Sequence, residues 1–343
     1  MAVPGNLTKS EILSQPEAWT AALKVLKEQH QDIMELGPVD RFDQIVFTGC
    51  GSTYYLALAA AALTQELIGR SCRAFPASEL WLYPHSSYAV GRTLLVAVSR
   101  SGETSETLRA CEAFLSNQPG SLLTLSCYGD MPLAKLGTYN LVLPSGQEQS
   151  VAQTRAFSTL YLGTVALACL WAGRTALFDS LGHLPELGAR ILNDYASLAA
   201  GWGRDTALDR FYWLGSGPRH GLACELSLKM KEMSLTHSEP FHFMEFRHGP
   251  KSMVTPQTLV IGLRSTRNIT YERAVLQDVK ALGGRTLDLA EDGIDVRFDS
   301  GLDETIRNVL YLPVGQLIAF ERSLSKGLNP DRPTNLDSVV KLQ

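Results

Sequence analysis

The stretch Thr93-Leu94-Leu95-Val96-Ala97-Val98-Ser99-Arg100-Ser101-Gly102-Glu103-Thr104-Ser105-Glu106-Thr107 decides how the chain is read. Residues 93–98 are apolar and partly β-branched, about the length of a buried strand. From Glu106 to Phe114 the pattern predicts a helix. A strand therefore feeds a loop holding Ser99, Ser101 and Thr104 around Gly102, and the loop feeds a helix. Free N–H groups and the dipole at a helix start favour an anion. Hydroxyls gathered there add donors without charge. Two readings stay open: a phosphate cradle, or an ordinary helix cap, since Ser and Thr are the usual capping residues.

Outward from this loop the alternation continues. Strands are expected at 44–48, 72–75, 121–126 and 140–143, with helices between most of them. Gly49-Cys50-Gly51-Ser52 is a turn, and 53–68 a helix closed by Gly69. Upstream, Thr8-Lys9-Ser10-Glu11 has the capping-box form and opens a first helix. It is interrupted near Pro16 and runs through Trp19 to Leu36, where Gly37-Pro38 stops it. This is the pattern of a doubly wound, mostly parallel α/β sheet flanked by helices.

The second half repeats the scheme. Strands are expected at 210–214, 258–263 and 286–289, helices at about 220–235 and 271–282, and a turn at Gly215-Ser216-Gly217. Gly49 and Gly215 differ by 166, as do Gly51 and Gly217, and Glu79 and Glu245. Thr93–Val96 resembles Thr258–Ile261 at an offset of 165. We read two related α/β domains in tandem, at 39–185 and 200–330, joined near 179–201. A helical segment, 1–38, precedes them, and a tail, 331–343, follows.

A length of 343 residues suits about two domains. With 45% apolar and 19% charged residues the chain can bury large cores, which excludes a disordered protein. A net charge of −4 and no basic block argue against nucleic acid. Cys50, Cys72, Cys111, Cys127, Cys169 and Cys224 form no CxxC pair and read as buried thiols in a reducing compartment. The N-terminus has no signal-peptide pattern. The run 156–173 is about long enough to span a bilayer, but Ser158, Thr159, Gly163 and Thr164 interrupt it. We expect a buried helix there, and a soluble cytoplasmic protein with no membrane partner.

Gly49-Cys50-Gly51 after a strand invites a dinucleotide, yet Tyr54 stands where a third glycine is needed and Pro76-Ala77-Ser78 where an acidic residue is needed. Glu225, Lys229 and Glu232 share one helix face. A solvated charged face is the ordinary explanation. Against it, the glycine turn puts the start of this helix at a sheet's carboxyl edge, where α/β ligand sites lie. A carboxylate beside a lysine could relay a proton there. The run His237–Pro250 is dense in metal-type side chains, but its spacing fits neither HExxH nor a Cys/His zinc pattern, so no metal is expected, and Pro240 with the aromatic residues argues for a structured loop. His248, before Gly249-Pro250, is either a titrating histidine on a rigid turn or a structural one. No GxSxG elbow is present for a serine hydrolase.

Gly49-Cys50-Gly51-Ser52, Ser99–Thr104, Val151-Ala152-Gln153-Thr154-Arg155-Ala156-Phe157, Leu228–Glu232 and Glu245–Pro250, in that order, resemble the sugar isomerase (SIS) family. The nearest form is the double-SIS isomerase part of glucosamine-6-phosphate synthase and its stand-alone relatives, which include amino-sugar-phosphate deaminase/isomerases and fructosamine-phosphate deglycases. The resemblance implies two tandem SIS domains. It also implies a phosphosugar aldose–ketose isomerase, foremost an amino-sugar-6-phosphate deaminase/isomerase working through an enediol or enolamine, without a cofactor. A deglycase or a non-catalytic phosphosugar-binding regulator are the alternatives.

By the same resemblance Ser99, Ser101 and Thr104 hold the phosphate with Ser52 nearby, Glu232 moves the C1/C2 proton, and Lys229 stands beside it. His248 opens the sugar ring from a neighbouring subunit, which implies a homodimer, and Val151 offers a backbone contact to the sugar. Three departures stand out. No glutaminase domain with an N-terminal cysteine is seen, so glutamine-dependent synthesis is not expected of this chain alone. Arg100 replaces a glutamine and could contact phosphate or pair with Glu103 or Glu106. In the tail, Ser338 stands at a lysine position with Lys341 three residues later, leaving Asp337 or Ser338 to take part instead.

Overall fold

Thr93–Ser99 is buried along its whole length and forms β3, the middle strand of a five-stranded parallel sheet. The computed structural model describes residues 3–35 and 39–342. The other strands of this sheet are β1 (Gln44–Gly49), β2 (Cys72–Pro76), β4 (Gly120–Ser126) and β5 (Tyr139–Val142), in the order β2-β1-β3-β4-β5. Val96 lies opposite Phe47 on one side and Leu123 on the other. A strand covered on both faces has no polar side to present, which is why its sequence is a continuous apolar run.

The second sheet contains β6 (Arg210–Gly215), β7 (His237–Phe241), β8 (Thr258–Leu263), β9 (Arg285–Ala290) and β10 (Val296–Arg297). Its order is β7-β6-β8-β9-β10, again all parallel. Counted along the chain, both sheets have the order 2-1-3-4-5. The order reverses between the first and third strands, and the loops leaving their carboxyl ends there open a crevice. In the first sheet those loops carry Ser52 and Ser99–Thr104. In the second they carry Ser216 and residues 264–268.

Two elements depart from expectation. Residues 237–250 read as loop because of Pro240, but their first five residues form β7. It is an edge strand paired with β6, where a proline's missing N–H costs no ladder bond on the open side. The capping box at Thr8–Glu11 does not form. The helix is Asn6–Leu13, so both residues lie inside it, and its N-cap is Gly5 at φ +79. Thr8 Oγ1 instead donates to Asp331 Oδ1 at 2.8 Å. The expected break near Pro16 falls at Ser14, and helices Gln15–Glu28 and His30–Glu35 follow. The stop at Gly37-Pro38 lies outside the described residues.

The chain divides into two compact units. The unit with the first sheet holds Gln15–Glu148, Arg155–His183 and residues from Asp337 onward. Its helix Arg155–Trp171 is buried from Ala156 to Leu170, and Trp19 Nε1 donates to Ser158 Oγ at 2.9 Å, which satisfies a hydroxyl inside the apolar run. No helix among the described residues is long and apolar enough to cross a membrane. The unit with the second sheet holds residues up to Ser14, Gln149–Thr154 and Leu184–Leu336. There, Leu184–Arg204 is one long helix packed on Leu312–Ser325.

Candidate functional site

The loop after β3 is folded by its own hydroxyls. Ser99 Oγ accepts from Gly102 N at 3.1 Å and lies 3.4 Å from Thr104 Oγ1. Ser101 Oγ accepts from Glu103 N at 3.2 Å, which leaves its proton to donate. Gly102 sits at φ +72, and a Cβ there would meet Met131 Cβ at 2.9 Å, so the turn requires glycine. Thr104 is the N-cap of helix Ser105–Asn117 but makes no side-chain cap hydrogen bond. The ordinary-cap reading therefore does not account for the loop's hydroxyls.

Ser52 is the first residue of helix Ser52–Ile68, behind Gly51 at φ +55. Gly217 has nearly the same backbone, φ +58, before helix Pro218–Ser234. At the first glycine of each turn the helix folds tightly back on the strand end. A Cβ would lie 2.5 Å from Thr53 Oγ1 at Gly49 and 2.3 Å from the Arg219 carbonyl at Gly215.

Arg100 is buried, at 6% exposure. Its guanidinium faces Glu148 at 3.8 Å and donates to the Ser338 carbonyl at 2.9 Å. Of the two acidic partners expected for it, Glu103 instead lies 3.7 Å from Lys341. The tail thus runs against the loop. Ser105 N donates to the Val340 carbonyl, and Leu342 N to Ser105 Oγ at 3.1 Å. Ser338 meets the loop through its backbone oxygen.

Glu225, Lys229 and Glu232 do share a helix face, and it is not a solvated one. Lys229 is fully buried, 3.3 Å from Glu225 and in a shorter hydrogen bond to Glu232. Burial opposes the Lys229 charge, but the two carboxylates, Glu225 first, outweigh it and hold its pKa above the ordinary lysine value. Lys229 is a fixed ammonium, which removes it as a proton acceptor. Glu232 keeps 19% of its side chain exposed, so one end is held by the ammonium and the other can be reached. It does not lie at the sheet's carboxyl edge, where this helix starts. Glu232 stands in the last turn of the helix, roughly 20 Å from the start.

His248 is exposed on a turn between two short 3-10 segments, Glu245–Arg247 and Pro250–Met253, with Gly249 at φ +126. Its ring makes no hydrogen bond or ion pair among the described residues. Val151 N donates to the Asp331 carbonyl at 3.2 Å. The preceding residues are clamped by Glu11, whose carboxylate accepts from Gln149 N at 2.6 Å and from the Ser150 N–H and hydroxyl. Sequence reasoning missed this role of Glu11.

It also missed a pair of stacked imidazoles. His220 and His242 lie 3.7 Å apart between ring centroids at 16°, and Cys224 Sγ is 3.6 Å from His220 Nε2. Burial first, then the His242 charge, pushes His220 down to about 4. No spacing signal joins these residues, since one follows β6 and the other β7. Among the described residues no three His, Cys, Asp or Glu side chains gather as metal ligands do.

Two parallel α/β sheets with a hydroxyl-lined loop at a switch point put that loop where open α/β sheets bind their ligands. Residues 41–170 match the family model of the SIS domain. The chain is 27% identical over 345 residues to glutamine–fructose-6-phosphate aminotransferase (isomerizing) of Methanothermobacter thermautotrophicus, and 28% over 350 residues to that of Pyrococcus horikoshii. Each alignment covers 97% of this chain and 57% of the relative, so the chain spans little more than half the length of these relatives. The structure of glucosamine-6-phosphate deaminase from Thermotoga maritima superposes with a TM-score of 0.82 at 26% identity, over 98% of this chain and 100% of that one. Tagatose-6-phosphate ketose/aldose isomerase from Escherichia coli gives 0.85 at 21% identity, over 97% and 98%, a likeness of fold. Residues 41–170 thus carry the SIS domain pattern, and the chain is similar over nearly its whole length to proteins whose names include phosphosugar-converting enzymes.

Proposed function

We propose that the chain is a phosphosugar aldose–ketose isomerase built from two tandem SIS domains, and that it converts an amino-sugar 6-phosphate to the ketose 6-phosphate and ammonia. The observation that carries this is the buried ammonium of Lys229 between Glu225 and a partly exposed Glu232. A carboxylate oriented by a fixed cation, with one face open, is a suitable acceptor for a carbon-bound proton. The hydroxyl loop supports the substrate class, since Ser99, Ser101, Thr104 and Ser52 offer neutral donors at two helix starts. Likeness to a deaminase over the full length of both chains supports the amino sugar.

In this reading the phosphate fixes the sugar. His248, given to the neighbouring subunit of a homodimer, helps open the ring to the C1 aldehyde. Glu232 takes the C2 proton, leaving an enolamine, and returns a proton to C1. The resulting C2 imine adds water and releases ammonia, leaving the ketose. Val151 contributes a backbone contact to the sugar. Arg100 steadies the loop and tail through Glu148 and Ser338. No cofactor enters this scheme.

The test is release of ammonia and ketose phosphate from a panel of hexosamine 6-phosphates. Glu232→Gln should abolish turnover and leave phosphosugar binding largely intact. Unchanged turnover in that variant would sink the assignment, and release of a free amino acid from fructosamine 6-phosphates in place of ammonia would redirect it to deglycation.

A further inference from the structure

The second sheet has its own crevice at its own switch point, and a cavity of about 340 Å³ fills it. That is within the roughly 300–1,000 Å³ of small-molecule sites. Loops after three strands build it: Ser216 follows β6, Phe243 and Met244 follow β7, and Asn268, Tyr271 and Glu272 open the helix Ile269–Ala281 after β8. Its position lies near the start of helix Pro218–Ser234, so Glu232, at that helix's far end, is not part of it.

Glu272 is the decisive side chain. It is 98% buried, as its relative exposure is 2%. Oε2 accepts from Ser265 N at 2.5 Å, while Oε1 is buried and has no hydrogen-bond partner. An oxygen left so costs free energy until a donor reaches it. Two neighbouring groups are also unspent. Asn268 is the N-cap of its helix yet makes no side-chain cap bond. Ser216 Oγ accepts from Phe243 N at 3.3 Å and keeps its proton.

The remaining walls are apolar. Phe243 closes the floor, and Met244 and Tyr271, the latter 64% exposed, stand at the surface. No basic side chain lines the cavity among the described residues. Arg264, at the position that Ser99 holds in the first sheet by the 165-residue offset, is fully buried and ion-paired to Asp288 and Asp292. The nearby Arg219 is paired to Glu304 at 2.7 Å. The site thus offers hydroxyl-binding tips and flat apolar walls with no cation for an anion. Burial pushes the Glu272 carboxyl up, while its hydrogen bond from Ser265 and the nearby Arg219 guanidinium work against that rise.

We infer that this cavity is a second ligand site, and that it takes an uncharged polyhydroxylated ring, a sugar without a phosphate. A hydroxyl donates to Glu272 Oε1, Asn268 and Ser216 contact others, and the C–H face of the ring rests on Tyr271 and Met244. The inference stands on the second sheet alone and does not depend on the reaction proposed above.

The test is calorimetric titration of the full chain with D-glucose, N-acetyl-D-glucosamine and inorganic phosphate. Tyr271→Ala, Glu272→Gln and Ser101→Ala are titrated alongside, with melting curves to confirm folding. At least one sugar should bind saturably to the wild type and to Ser101→Ala alike, and phosphate should not displace it. Tyr271→Ala, an exposed change that keeps the fold, should weaken binding about tenfold, as should Glu272→Gln. No saturable binding of either sugar would overturn the inference. So would binding that survives in Tyr271→Ala and is lost in Ser101→Ala, since that places the sugar at the phosphate loop.

Discussion

Lys229 is a buried cation whose neighbours are both carboxylates. Replacing it with Met would remove the ammonium from between two carboxylates and leave like charges facing each other. Breaking a buried ion pair in this way costs about 3–5 kcal/mol. Lys229→Met should therefore lower the melting temperature markedly, and Glu225→Gln should recover part of the loss. Its pKa is raised on folding, so its contribution is complete below the ordinary lysine value of about 10.4 and is lost only as pH rises through the higher folded value. Near neutral pH Lys229 adds no slope. His220 behaves in the opposite sense. Its folded pKa is pushed from 6.5 down to about 4, so the unfolded chain takes the proton first. Stability is held above 6.5 and is lost as pH falls through that window. Denaturant midpoints should drop between about pH 6.5 and about pH 4, and His220→Phe, which keeps an aromatic stack, should flatten that drop.

At the scale of elements, the loop between β3 and its helix depends on one left-handed residue. Gly102→Ala forces a side chain into φ +72 and against Met131. The conformational part costs about 1–2 kcal/mol. A fall in melting temperature should accompany weaker phosphosugar binding, and a variant that binds normally would show that the loop is not the cradle. This loop was legible in the sequence because its strand is apolar throughout and its hydroxyls are local. Edge strand β7 was not, since Pro240 is a breaker signal and only its place at the sheet edge makes it tolerable. Thr8 and Glu11 were misread for a related reason. Their pattern is that of a local cap, but the partner of Thr8 lies 323 residues away. The stacked His220 and His242 likewise come together only through the sheet, and the burial of Lys229 could not be told from a solvated face by helical spacing.

At the scale of the molecule, both sheets have one strand order, and both place a glycine turn with the same backbone after their first strand. The 166-residue spacing in the sequence foreshadowed this, because glycines at φ near +55 are costly to replace and mark the turn in each half. The two switch points have nonetheless been furnished differently, one with serines and a threonine, the other with Asn268, Tyr271 and the buried Glu272. The proposed exchange of His248 between subunits carries its own prediction. Glu232→Gln and His248→Ala chains, each inactive alone, should regain partial turnover when unfolded and refolded together, because mixed dimers hold one intact pair. Absence of recovery in a mixture shown to contain mixed dimers would place His248 in its own chain's site.

The central claim is that Glu232 moves the proton between C2 and C1. The direct measurement is loss of the C2 proton signal of glucosamine 6-phosphate in D2O, followed by NMR with the wild type and with Glu232→Gln. The account predicts exchange of that proton for deuterium with the wild type, and no exchange with the variant although it still binds the sugar. Equal exchange with both proteins would contradict it.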